Sequence, residues 1–149
     1  TIAIGADGND GNGDKSGHVR VYKYESNKWI QLGDDIDGEA ADDSSGWSVA
    51  MSADGMTIAI GADLNDGNGS NSGHVRVYKY ESNKWIQLGD DIDGEAADDS
   101  SGWSVAMSAD GMTIAIGAVY NDGNGSNSGH VRVYKNDSNK WNQLGDDID

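Results

Sequence analysis

The chain has no cysteine, no proline and no phenylalanine among its 149 residues. Without cysteine, neither a disulfide framework nor a thiolate metal site can form. Basic residues are scarce: 10 Lys and Arg stand against 26 Asp and Glu, for a net charge of −16. Such a field repels nucleic acid and anionic membranes, so neither is expected as a partner. No apolar run approaches the ~18 residues of a membrane-spanning helix, so no membrane insertion is expected. Branched aliphatics are few as well, with 4 Leu, 11 Ile and 9 Val. Together with high charge, that scarcity is the composition of disordered chains. Two observations oppose that reading. Five Trp and six Tyr supply large apolar surfaces. The apolar residues also sit in short alternating runs, the pattern of half-buried strands. Asp supplies 22 of the acids and Glu only 4, beside 22 Gly and 13 Asn, which favours turns over helices.

A repeat dominates what remains. Thr-Ile-Ala-Ile-Gly-Ala starts at Thr1, Thr57 and Thr113, a period of 56 residues. The first two copies differ only at Gly8/Leu64, Asp14/Ser70 and Lys15/Asn71. The third departs from the second at Asp63/Val119, Leu64/Tyr120, Tyr80/Asn136, Glu81/Asp137 and Ile86/Asn142. Each period carries four strand candidates: Trp47–Ser52, Thr57–Gly61, His74–Tyr80 and Lys84–Gly89. Asp54-Gly55 signals a hairpin between the first two, and Ser82-Asn83 a short turn between the last two. Four antiparallel strands per repeat describe a β-propeller blade, and a β-solenoid is the alternative. The fold class is therefore all-β: consecutive four-stranded antiparallel blades, about 2.7 of them. Residues 1–37 form a partial blade of second to fourth strands, and 38–93 and 94–149 form full blades. Propellers use 4–8 blades, so the chain is expected to belong to a longer array or to close by assembly.

Gly46-Trp47-Ser48-Val49-Ala50 followed by Ile58-Ala59-Ile60-Gly61-Ala62 resembles the FG-GAP repeat of integrin-alpha-like propellers. Gly102–Ala106 and Ile114–Ala118 match equally, and Gly73–Tyr78 resembles the third strand of such blades. The resemblance implies a propeller in an extracellular or cell-surface adhesion or ligand-binding setting. Trp47 and Trp103 stand where the family has Phe, and Asp63 and Val119 where it has Pro. The family's calcium loop between the first two strands is here only Ser52–Met56, too short to supply an Asp series.

Several groups of residues are candidate sites. The loops between second and third strands offer Asp7, Asn9, Asp10 and Asn12, then Asp63, Asn65, Asp66 and Asn68, then Asn121, Asp122 and Asn124. Alternating Asp and Asn with glycines suit Ca²⁺, which takes six to eight oxygens. The same residues also cap turns in solvated loops. The acidic run with Asp91, Asp93, Glu95 and Asp98 can surround a cation or bond backbone amides at a blade junction. His18, His74 and His130 recur at one strand position, either converging on a propeller axis or serving as structural residues. Trp29, Trp85 and Trp141 open the fourth strands near the rim, where they can stack on sugars or pack. Trp47 and Trp103 are expected to pack between blades. Asn68, Asn124 and Asn136 begin N-glycosylation sequons.

No nucleophile elbow, phosphate loop or zinc spacing is present, and acids repeated identically every period are a poor way to build one catalytic cleft. A non-enzymatic role is expected: a structural or adhesive extracellular module that associates with copies of itself or with neighbouring blades, steadied by Ca²⁺. Two alternatives stay open. One is a lectin-like module that binds glycan through the rim Trp residues. The other is a designed consensus repeat without a natural ligand. An extracellular protein ligand is a further candidate partner.

Overall fold

The computed structural model describes all 149 residues and is all-β. The first sheet comprises β1 (Ile2–Ala6), β2 (His18–Glu25), β3 (Lys28–Gln31) and a two-residue β4 (Ile36–Asp37). The second contains β5 (Ser48–Met51), β6 (Thr57–Ala62), β7 (His74–Glu81), β8 (Lys84–Gln87) and β9 (Ile92–Asp93). The third contains β10 (Ser101–Met107), β11 (Thr113–Ala118), β12 (His130–Asp137) and β13 (Lys140–Gln143). Each is an antiparallel meander with strands in chain order, so each is a blade.

Local chemistry explains the hairpins. Ser82 and Asn83 take φ of 51° and 65°, and Ser26-Asn27 and Ser138-Asn139 repeat the pattern. Two positive φ values make the primed turn whose twist matches that of paired strands. At the other hairpin, Gly55 has φ of 73°, while Asp54 Oδ1 accepts from the Ser52 hydroxyl at 2.6 Å and the Met56 amide at 2.9 Å.

The fourth strand is longer than its sequence suggests. After β8 the chain bulges through Asp90 and Asp91, then returns as β9 to pair His74 with Asp93 and Val75 with Ile92. Val131 pairs with Ile148 in the same way in the third blade. The acidic run is thus partly strand.

The core lies between blades, not within them. Val19, Val21 and Ile36 of the first blade meet Ile58, Ile60 and Tyr78 of the second. Ala59, Val75, Val77 and Ile92 of the second meet Ile114, Ile116, Tyr134 and Trp141 of the third. Period-two alternation sends Ile58 and Ile60 backward to one neighbour and Ala59, Val75 and Val77 forward to the other. Gly5 and Gly61 permit close approach at the two seams: a Cβ on either would collide with the carbonyl oxygen of Gly46 or Gly102 ahead of it.

Candidate functional site

The chemistry-bearing side chains gather at the seams between blades. At the rim, Trp85 Nε1 donates to the Leu32 carbonyl of the preceding blade at 2.7 Å, and Trp141 Nε1 does the same to Leu88 at 2.7 Å. Trp141 is buried and Trp85 half-buried, so both spend their rings on packing and are not free stacking platforms for sugars. Trp29, the equivalent residue in the first blade, is 53% exposed. Trp47 and Trp103 contact each other across a seam with centroids 4.9 Å apart, yet both remain exposed on the surface instead of entering the core. Tyr120 adds an edge contact to Trp103 at 6.0 Å.

The Asp- and Asn-rich loops use their side chains locally. Asn65 Oδ1 accepts from the Gly67 amide at 2.8 Å and its Nδ2 donates to Asp43 at 3.0 Å. Asn9 caps Gly11 and Asn121 caps Gly123 in the same manner. Asp10, Asp66 and Asp122 accept from the amides of Lys15, Asn71 and Asn127 at 2.9, 2.8 and 2.6 Å. Asn12 and Asn68 donate to the Gly38 and Gly94 carbonyls at 2.8 Å, tying each loop to the segment that leads into the next blade. Asn124 is exposed. Of the three sequon asparagines, Asn136 is buried and Asn68 has its amide nitrogen engaged, which leaves Asn124 the accessible one.

Asp63 is the exception among the loop acids. It is buried, and its Oδ1 has no hydrogen-bond partner. Burial, with a further push from the Asp7 charge, raises its pKa to about 6.

The histidines do not converge. Each sits in its own blade beside carboxylates. His74 Nδ1 lies 3.8 Å from Asp91 Oδ2 and 3.9 Å from Glu39 Oε2 of the segment joining the first blade to the second. His130 Nδ1 lies 3.5 Å from Asp147 Oδ2 and 3.8 Å from Glu95 Oε2. His18 is grouped with Asp35 and Asp37. In each group one ligand atom per residue lies within 4.8 Å of the others. The acidic run therefore does not surround one cation: Asp91 serves one seam and Glu95 the next. Burial is the main force lowering the His74 pKa, with the Arg76 charge adding to it.

Arginines complete the seams. Arg76 Nη2 donates to the Asp37 carbonyl at 2.9 Å while Nη1 lies 3.4 Å from Glu39 Oε1. Arg132 repeats this with the Asp93 carbonyl at 2.9 Å and Glu95 at 3.5 Å. In the first blade Arg20 instead grips its own blade's Asp35 through two bonds of 2.8 and 2.7 Å. Sequence reasoning missed the roles of these arginines and of Glu39, Asp35 and Asp147. The ligands of one cluster come from separate stretches of chain, and only the 56-residue recurrence of each residue hinted at a shared purpose.

No curated protein matches the sequence significantly. Among solved structures, one similar fold is a Bacteroides uniformis protein described as a candidate 6-phosphogluconolactonase. The TM-score is 0.53 at 16% identity, over 89% of this chain and 34% of that one. The chain thus spans about a third of that structure, and the likeness is one of fold. The FG-GAP repeat family matches residues 36–78 and 92–134, more than half of the chain and centred on the two seams, so the chain belongs to the FG-GAP repeat family.

Proposed function

We propose that the chain is a non-enzymatic structural module of an extracellular repeat protein, and that it works by docking blade against blade. One observation carries this reading: its two open faces are copies of its two mated faces. Ile2 and Ile4, 40% and 49% exposed, repeat Ile58 and Ile60, which are 0% and 2% exposed in the first seam. At the other end Leu144 and Ile148 are 47% and 59% exposed, whereas Ile92, the counterpart of Ile148, is 6% exposed. A front face that fits a back face inside the chain fits the same back face on another blade. Such a contact is heterologous, so it closes a ring or extends an array. The negative surface suits a saline exterior and keeps unassembled copies apart at low salt.

Sedimentation of the 149-residue chain tests the reading. The wild type associates with rising concentration and more strongly with rising salt, as the self-repulsion of a −16 charge is screened. Ile4→Asp blocks the front and Val133→Asp the back, so each variant stays monomeric alone. Mixed, the two form a one-to-one complex through their intact faces. A wild type that remains monomeric throughout, or a mixture that does not pair, overturns the proposal.

A further inference from the structure

We propose that each internal seam is a binding site for a divalent transition metal of the Zn²⁺ type, held by His74, Asp91 and Glu39 in one seam and by His130, Asp147 and Glu95 in the other.

The imidazoles supply the first reason. The His74 and His130 side chains are only 2% and 1% exposed. No hydrogen bond reaches Nδ1 of either ring; the buried orphan at His130 is its other nitrogen, Nε2, which a metal on Nδ1 does not partner. A buried polar ring without a partner is costly. Its Nδ1 faces two carboxylate oxygens at 3.5 to 3.9 Å, too far for hydrogen bonds, which need about 2.7–3.2 Å. Metal bonds of about 2.0–2.2 Å set tetrahedral ligand atoms about 3.3–3.6 Å apart. The seam has nearly that spread.

The far side of each carboxylate is the second reason. Asp91 Oδ1 accepts from Gln87 Nε2 at 2.6 Å, and Asp147 Oδ1 from Gln143 Nε2 at 2.7 Å. Glu39 Oε1 and Glu95 Oε1 face Arg76 and Arg132. The other oxygens, Oδ2 and Oε2, are left facing the imidazole. Orienting first ligands through their second atoms is how metal sites are built. Two carboxylates against one guanidinium leave the pocket around the imidazole with an excess of negative charge. One nitrogen and two oxygens, with room for water as a fourth ligand, suit Zn²⁺ better than Ca²⁺, which wants six to eight oxygens.

The first blade supplies an internal control. There Arg20 Nη2 sits 2.7 Å from Asp35 Oδ2, the oxygen that faces His18, so that position is taken. The chain therefore offers two sites.

Titration of the intact chain with Co²⁺ alone, followed by visible absorption, tests this, with Zn²⁺ as competitor and Tm as a second readout. Two equivalents with the intense bands of low-coordinate cobalt are expected, displaced by Zn²⁺ and not by excess Ca²⁺. His74→Gln and His130→Gln each remove one equivalent, and the double variant removes both while its far-UV spectrum stays native. Should the His variants unfold, Asp91→Asn and Asp147→Asn give the same readout. Gln143→Leu, which touches no metal, lowers affinity at one site about tenfold. Absent cobalt bands with no Zn²⁺-dependent rise in Tm overturn the proposal, as does wild-type binding by the double His variant. Both sites lie inside one chain, so failure of blade docking between copies leaves this test intact.

Discussion

Arg20 and Arg76 hold the same position in consecutive blades, yet they behave differently. Arg76 is 8% exposed and reaches across a seam to Glu39 and the Asp37 carbonyl. Arg20 is 44% exposed and folds back onto Asp35. The sequence around them is nearly identical, so only the presence of a preceding blade separates them. The seam contacts are therefore conditional: an uncovered blade closes its arginine on itself, and a covered blade lends it to its neighbour. The same divide runs through Trp29 against Trp85 and Ile2 against Ile58. Within these 149 residues the buried contacts lie in the seams, and the two end faces repeat the same interface.

The aliphatic pair breaks this comparison hardest. Ile58→Ala removes a fully buried side chain and is expected to cost about 2–5 kcal/mol in urea unfolding, while Ile2→Ala costs below about 1 kcal/mol. Equal losses would mean that the first seam contributes little.

Asp7 and Asp63 sharpen it next, since one is half-buried and the other buried at the same repeat position. Asp63 has a folded pKa of about 6, above its unfolded value of about 3.9. The folded state is thus favoured fully below about pH 3.9, and this advantage is lost as pH rises through about 6. Asp63→Asn is expected to stabilise the chain by about 1–2 kcal/mol at pH 7.5 and by almost nothing at pH ~4. A pH-independent effect of Asp63→Asn would refute the burial argument.

The indoles come third. Trp141→Phe keeps an aromatic ring but loses the bond to Leu88 and part of the buried indole, for about 1–3 kcal/mol, whereas Trp29→Phe stays within about 0.5 kcal/mol. Smaller still is the surface pair. The hydrogen bond from Arg20 holds the Asp35 pKa down at about 2. Its contribution is present above the unfolded pKa of about 3.9 and is lost as pH falls through about 2. Exposure limits it to below about 1 kcal/mol, so Asp35→Asn shifts Tm at pH 7 only slightly. Least of all, Ca²⁺ is expected to move Tm by about a degree or less, because the loop oxygens already bond backbone amides. A large calcium shift would restore the loops as metal sites.

The strands and their order were legible in the sequence because Val75, Val77, Ile58 and Ile60 alternate with period two. The turns were legible because Asp54-Gly55 and Ser82-Asn83 carry the chemistry of hairpins. The return of Ile92-Asp93 to the edge of β7 was hidden, since the Asp90-Asp91 bulge reads as a loop. Trp47 and Trp103 do pack between blades as expected, but at the exposed surface of the seam, a depth that the alternation of the strand does not encode. The histidine clusters were invisible for a different reason. Asp91 and Asp147 reach the imidazole only because the end of their own blade folds back beside it. Glu39 and Glu95 arrive from the segment leading out of the preceding blade, and nothing local in the sequence marks either approach.

The surface pair of Trp47 and Trp103 carries its own optical signature. Two indoles 4.9 Å apart and inclined at 51° couple their excited states, and a skewed coupled pair splits its circular dichroism into bands of opposite sign. The couplet exists only while two consecutive blades are seated against each other. Each further blade docked with its own Trp lengthens the row of coupled chromophores, so the protein carries a built-in, label-free signal for the number of seams it has closed.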